Sequence, residues 1–178
     1  MSKSRHLLHN ADFIPSPNCD ERPPGVEPEL IVVHCISLPP GFYEGHAVED
    51  FFTNRLDCNA HPYYREIADL RVSAHLFVRR DGALKQFVPF NLRAWHAGQS
   101  SYCGRANCND YSIGIELEGC DDEAFTPAQY VSLATTVRTL LKAYNKLQAK
   151  NIVCHSDIAP GRKTDPGPFF ERDFLGKY

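Results

Sequence analysis

The stretch VSAHLFVRRDGALKQFVP, residues 72–89, decides the fold class. Val72–Arg79 and Leu84–Pro89 are β-rich runs separated by Asp81-Gly82, and Asp-Gly closes tight hairpins because both residues tolerate positive φ. One antiparallel pair is therefore expected in the middle of the chain. On either side, strand and helix patterns alternate. LIVVHCI (30–36) is a short apolar, β-branched run, read as a buried strand and stopped by Pro39, Pro40 and Gly41. SIGIELE (112–118) alternates, with Ile113, Ile115 and Leu117 on one face and Gly114, Glu116 and Glu118 on the other. Residues 151–155 (NIVCH) read as a further strand. Thr126 opens the clearest helix, to about Leu147: Thr126 as N-cap, Pro127 at N1, Gln129 completing a capping box, and an apolar stripe from Tyr130 to Tyr144. Short helices are expected at Val48–Asn54, Tyr63–Leu70 and Phe169–Leu175. Interleaved strands and helices with one hairpin predict an α/β fold of the mixed, α+β type: a single domain with a central mixed sheet flanked by helices.

The chain has 178 residues, enough for one core without disulfides or repeats. Residues 1–29, polar and proline-rich, read as an arm packed on the domain formed by 30–178. A formal charge of −3 and a pI near 6.2 argue against general nucleic-acid binding. No apolar run approaches the roughly 18 residues of a membrane span. The first residues lack the apolar core of an export signal, so a cytoplasmic protein is expected. Seven cysteines, an odd number without a C-x-x-C pair, read as reduced thiols.

Candidate chemistry gathers where polar residues interrupt apolar strands. His34 lies inside LIVVHCI and His155 ends NIVCH, beside irregular loops where α/β proteins build sites. Two histidines and a carboxylate make a common catalytic zinc shell that leaves a fourth position open. Asp165 is one candidate carboxylate. Pro166 favours an extended Asp165, so Lys163 and Asp165 project to one side and Thr164 to the other; the plain alternative is a surface Lys–Asp pair. Glu116 is the other candidate: a carboxylate in a central strand needs a partner, a metal or a cleft, unless the strand face is half-exposed. Trp95, the sole tryptophan, lies in a loop-like stretch and suits either stacking against a ligand or the core. Spacing alone does not choose among His34, His75, His96 and His155.

Five stretches, IVVHCISLPPG (31–41), AHPYYREIADLRVSAHLFVRRDG (60–82), FNLRAWHAGQSSYCGRANCND (90–110), SIGIELEG (112–119) and CHSDIAPGRKTDPGP (154–168), together resemble the zinc-dependent N-acetylmuramoyl-L-alanine amidases of the amidase-2 family, relatives of phage amidases and peptidoglycan recognition proteins. The resemblance spans about residues 12–175 and is strongest to the cytoplasmic branch. It implies one zinc ion per chain held by His34, His155 and Asp165, with Glu116 and Lys163 catalytic. His75 and His96 fall to supporting roles. Tyr63, Arg71, Trp95 and Arg105 are implied as substrate-binding residues. The implied reaction is hydrolysis of the amide between the lactyl group of (1,6-anhydro)-N-acetylmuramic acid and L-alanine, in peptidoglycan recycling, with a link to β-lactamase regulation. The implied partner is a small muropeptide met by a monomer, not nucleic acid or membrane. The alternatives are a binding-only module and an amidase of intact cell wall. Two departures stand out: Cys35 replaces the family's usual asparagine, and Asn107 stands where close relatives carry arginine.

Overall fold

The computed structural model describes residues 1 and 6–174. Among them ten strands form: β1 (Asp12–Phe13), β2 (Cys19–Glu21), β3 (Leu30–Ile36), β4 (Leu76–Val78), β5 (Leu84–Gln86), β6 (Leu92–Ala94), β7 (Ser101–Tyr102), β8 (Arg105–Ala106), β9 (Ser112–Glu118) and β10 (Ile152–Cys154). Helices α1 (Ala47–Phe52), α2 (Pro62–Glu66), α3 (Pro127–Ala143) and α4 (His155–Ile158) connect them. The main sheet runs β1-β5-β4-β9-β3-β10. Its β4–β5 pair is the antiparallel hairpin expected from Asp81-Gly82; the other pairs are parallel. Gly82 has φ +85°, and a Cβ there would stand 2.9 Å from the Ala128 carbonyl oxygen, so turn geometry and helix packing both demand glycine. β2 pairs with β6 and β7 with β8 in two small ribbons.

Alternation along the central strands assigns their two faces. Ile31, Val33, Ile113, Ile115, Leu117, Leu76 and Val78 pack against Leu133, Val137 and Leu140 of α3. That helix begins as its sequence dictates. Thr126 Oγ1 accepts from Gln129 N at 3.1 Å and Gln129 Oε1 accepts from Thr126 N at 3.0 Å. It stops at Ala143, short of Leu147, because Tyr144 turns extended and its hydroxyl meets His6 Nδ1 at 2.7 Å. The opposite face packs Phe77, Phe87 and Val88 under α1 and α2, and Leu30 and Val32 against Ile158.

Several elements are shorter than the sequence suggests. α1 and α2 end at Phe52 and Glu66, and β4 begins at Leu76. His155 is the first residue of α4, not the last of a strand, because the Asp157 carboxylate accepts from Cys154 N at 2.8 Å and turns the chain. The expected last helix is a 3-10 turn at Arg172–Phe174; Leu175 lies outside the described residues. Arg22, from the N-terminal segment, is buried and donates to the carbonyls of Asn109, Asp110, Phe90 and Ser112 at 2.8–3.2 Å.

Candidate metal centre

β3 and β9 run in parallel with His34 opposite Glu116. Both side chains therefore leave the sheet on the face away from α3, near the strands' C-terminal ends, where open α/β sheets place their sites. β10 delivers His155 beside them, and the loop after α4 returns Asp165. His34 Nδ1 lies 2.9 Å from His155 Nδ1 and 3.2 Å from Asp165 Oδ2; His155 Nδ1 lies 3.0 Å from the same oxygen. Three electron-rich atoms thus face one another, an arrangement that needs protons or a cation between them. Ligands at about 2.0–2.1 Å from a tetrahedral zinc ion stand about 3.3 Å apart, close to this triangle. Two imidazoles and one carboxylate also match the donor chemistry of a catalytic zinc site. Among the described residues these three are the group placed to hold a metal ion.

The electrostatics fit a cation. Burial lowers His34 to about 4, so its ring is neutral and offers a lone pair. Burial pushes the Asp165 carboxyl up, but hydrogen bonds with His155 and His34 outweigh it and hold the group ionised. Glu116 is raised well above 4.5, first by burial and then by the negative charge of Asp165, against the opposing pull of Lys163. It is only 8% exposed, and its Oε2 has no hydrogen-bond partner. The half-exposed strand face that the sequence allowed does not exist. β9 lies between β3 and β4, so Glu116 and Glu118 are both buried. Glu118 is satisfied by Arg80 N at 2.8 Å and an ion pair with Arg79. Glu116 lines a cleft but keeps one buried oxygen without a partner.

That cleft encloses about 570 Å3 and includes the triad, Glu116, Lys163, Trp95 and Tyr63 in its lining. Lys163, Thr164 and Asp165 all line it, so the expected turning of Thr164 to the other side does not hold; its hydroxyl donates to the Asp121 carboxylate on the cleft wall. Arg71 and Arg105 do not line it. The Arg71 guanidinium turns back to the carbonyls of Ala68 and Leu70. Arg105 lies 3.8 Å over the Tyr111 ring and pairs with Glu29. Arg162, which the sequence did not single out, lines the cleft and is fixed by the carbonyls of Ala97 and Gln99. Its one sequence signal is adjacency to Lys163. Cys35 lines the cleft with its thiol on Asp121 Oδ1 at 3.3 Å, and burial raises that thiol, so it is a neutral donor. His75 is fully buried; its Nδ1 accepts from Gly114 N at 3.0 Å.

A family model described as N-acetylmuramoyl-L-alanine amidase matches residues 24–168. The chain is 56% identical over 171 residues to the 1,6-anhydro-N-acetylmuramyl-L-alanine amidase AmpD of Salmonella typhimurium strain SL1344, covering 96% of this chain and 91% of the relative. A crystal structure of a selenomethionine AmpD derivative superposes with a TM-score of 0.94 at 52% identity, covering 97% of this chain and 96% of that one. The N-acetylmuramyl-L-alanine amidase AmiD of E. coli, solved with anhydro-N-acetylmuramic acid-L-Ala-D-γ-Glu-L-Lys, superposes with a TM-score of 0.61 at 28% identity, covering 89% of this chain and 65% of that one.

Proposed function

The chain belongs to the N-acetylmuramoyl-L-alanine amidase family, and from that premise we propose how its residues carry out the reaction. It is an amidase of the 1,6-anhydro-N-acetylmuramyl-L-alanine type, cleaving the amide between the muramic lactyl group and L-alanine. The observation that carries the mechanism is the convergence of His34 Nδ1, His155 Nδ1 and Asp165 Oδ2 within 2.9–3.2 Å beside the unpartnered Glu116 oxygen.

In our reading His34, His155 and Asp165 hold one zinc ion. When bound, zinc supplies a Lewis acid that makes water nucleophilic near neutral pH. Glu116, whose carboxyl lines the cleft, takes the proton of the attacking water and returns it to the leaving amine of L-alanine. Burial suits it to this work, because a carboxyl raised toward neutrality is a stronger base once ionised. Lys163 faces the developing oxyanion and stabilises it. Trp95 and Tyr63 on the cleft wall receive the sugar and stem peptide. The substrate is a soluble muropeptide, met in the cytoplasm by a monomer in which residues 1–29 serve as an arm on the catalytic domain 30–178. No helix among the described residues is long and apolar enough to cross a membrane.

The test is mass-detected cleavage of 1,6-anhydro-muramyl tripeptide by the protein as prepared, after chelation, and after zinc is added back. Release of free tripeptide should stop with the chelator and return with zinc. Cleavage that is indifferent to chelation refutes the metal reading. A zinc-loaded protein that leaves the soluble fragment intact but digests purified sacculi moves the substrate to intact wall.

A further inference from the structure

The two histidines of the triad share a second relation. Each turns Nδ1 to the centre and Nε2 to one short segment, His96–Ala97. His155 Nε2 lies 3.1 Å from the Ala97 carbonyl oxygen. A carbonyl only accepts, so a proton sits on Nε2 of His155. His34 Nε2 lies 2.9 Å from His96 Nδ1, and His96 Nε2 lies 3.0 Å from Ser112 Oγ. If His34 gives its Nδ1 lone pair to a metal, its proton stands on Nε2 and needs an acceptor. His96 Nδ1 supplies one when the His96 proton is on Nε2, directed at the Ser112 hydroxyl.

The segment is held in place from two sides. Asn109 Oδ1 accepts from both His96 N, at 3.1 Å, and Ala97 N, at 2.8 Å. Below the ring lies Gly114, where a Cβ would stand 2.4 Å from His96 Cγ. Any other residue there displaces the imidazole from its seat on β9, since real Cβ contacts are never that close.

We propose that the His96–Ala97 segment, hung on Asn109, is one platform that holds both triad histidines as Nε2–H tautomers and so presents both Nδ1 lone pairs to the metal. His96 is a positioning residue and not a ligand. The proposal rests on reading the triad as a zinc site.

The test uses the full chain as wild type, His96→Leu, His96→Asn and Ser112→Ala. Zinc affinity of the apo proteins is measured by competition with a chromophoric chelator, and imidazole tautomers by nitrogen-15 NMR. Loss of an outer partner typically weakens a metal site by about 10–100-fold. His96→Leu should show such a loss. His96→Asn, whose side-chain oxygen takes the place of Nδ1 as acceptor, should regain most of it. In the zinc-loaded wild type His34 and His155 should both carry their proton on Nε2, with His34 Nε2–H shifted by its bond to His96; in zinc-loaded His96→Leu, His34 alone should lose that hydrogen-bonded signature. Equal zinc affinity in wild type and His96→Leu, or a His34 without a proton on Nε2 in the zinc-loaded wild type, overturns the platform while leaving the zinc site standing. A wild type that takes up no stoichiometric zinc overturns both. If His96→Leu fails to fold, Ser112→Ala decides. It removes a single oxygen, and unchanged tautomer populations of His96 and His34 in it overturn the proposal.

Discussion

Replacing Glu116 with glutamine should inactivate the enzyme and stabilise its metal-free form. Glutamine keeps the shape of the side chain and removes its ability to accept and hold a proton. General acid–base groups contribute about 10²–10⁴-fold, so kcat should fall by that range. The stability effect has the opposite sign. Glu116 is buried in a central strand with an unpartnered oxygen, and its carboxyl is raised above 4.5 mainly by that burial. Below about pH 4.5 the group is protonated whether the chain is folded or not, and it costs nothing by linkage. As pH rises past that value the unfolded chain loses the proton first, so native stability falls until the folded carboxyl also ionises. A buried unsatisfied polar group costs about 1–3 kcal/mol, more when charged. Glutamine still carries an amide in need of partners, so a gain of about 1–2 kcal/mol is expected at pH 8. At about 2–4 °C per kcal/mol for a chain of this size, that is a rise in Tm of about 2–8 °C. Calorimetry of chelated wild type and Glu116→Gln at pH 5 and pH 8 reads the effect. The difference should be larger at pH 8, and should shrink when zinc is added, because a nearby cation favours the ionised carboxylate. A variant that keeps turnover within tenfold of wild type, or whose metal-free form melts lower at pH 8, refutes the assignment of Glu116 as a strained buried base.

Lys163→Met should lower kcat by about 10²–10³-fold, the usual loss of one oxyanion donor, while zinc content stays at one per chain. Steady-state kinetics beside metal analysis separates that outcome from loss of the metal. Arg22→Met should leave the carbonyls of Asn109, Asp110, Phe90 and Ser112 without their common donor, costing about 3 kcal/mol or more. A melting point lowered by about 6 °C or more checks this; a smaller change means that water replaces the guanidinium.

The parts of the fold that were legible have local causes. Asp81-Gly82 sets a hairpin through turn geometry, Thr126-Pro127 with Gln129 sets a helix start through capping, and SIGIELE declares its two faces through alternation. The ends of elements were not legible, because they are set at a distance. α3 stops where Tyr144 reaches His6, and β10 gives way to a helix where Asp157 caps it. The site divides in the same way. His34 and Glu116 stand out as polar residues inside apolar strands, and His155 as one at the end of such a run. What makes them a site is the parallel register that sets His34 against Glu116, and nothing local encodes the pairing of residues 82 positions apart. This is why spacing left four histidines open. The structure separates them by what their nitrogens face: His34 and His155 face Asp165, His96 faces His34, and His75 faces backbone groups. Arginine roles were the least legible. A long side chain reaches several partners, and Arg105 is taken up by Glu29 and Tyr111 while Arg162 is fixed at the cleft.

The two faces of β9 explain how a domain of this size tolerates such a centre. On one face Ser112, Gly114 and Glu116 carry a polar layer: a hydroxyl that ends a histidine chain, a gap that seats an imidazole, and a buried carboxyl. Each is destabilising by the measure of an apolar core. On the other face, from the alternate positions of the same strand, Ile113, Ile115 and Leu117 are fully buried against α3. Burial of such side chains contributes about 1.5–3 kcal/mol each. Strand periodicity keeps the two roles from interfering, because a residue on one face does not touch the other. The stabilising face tolerates exchange among apolar residues of similar volume, whereas each position of the polar face answers to a named atom of the triad or its supports. Shifting β9 by one residue against β3 exchanges the faces, drives Glu116 into the α3 core and removes the proposed base from its place opposite His34. The parallel register is therefore a requirement of stability and, in the proposed mechanism, of catalysis at once.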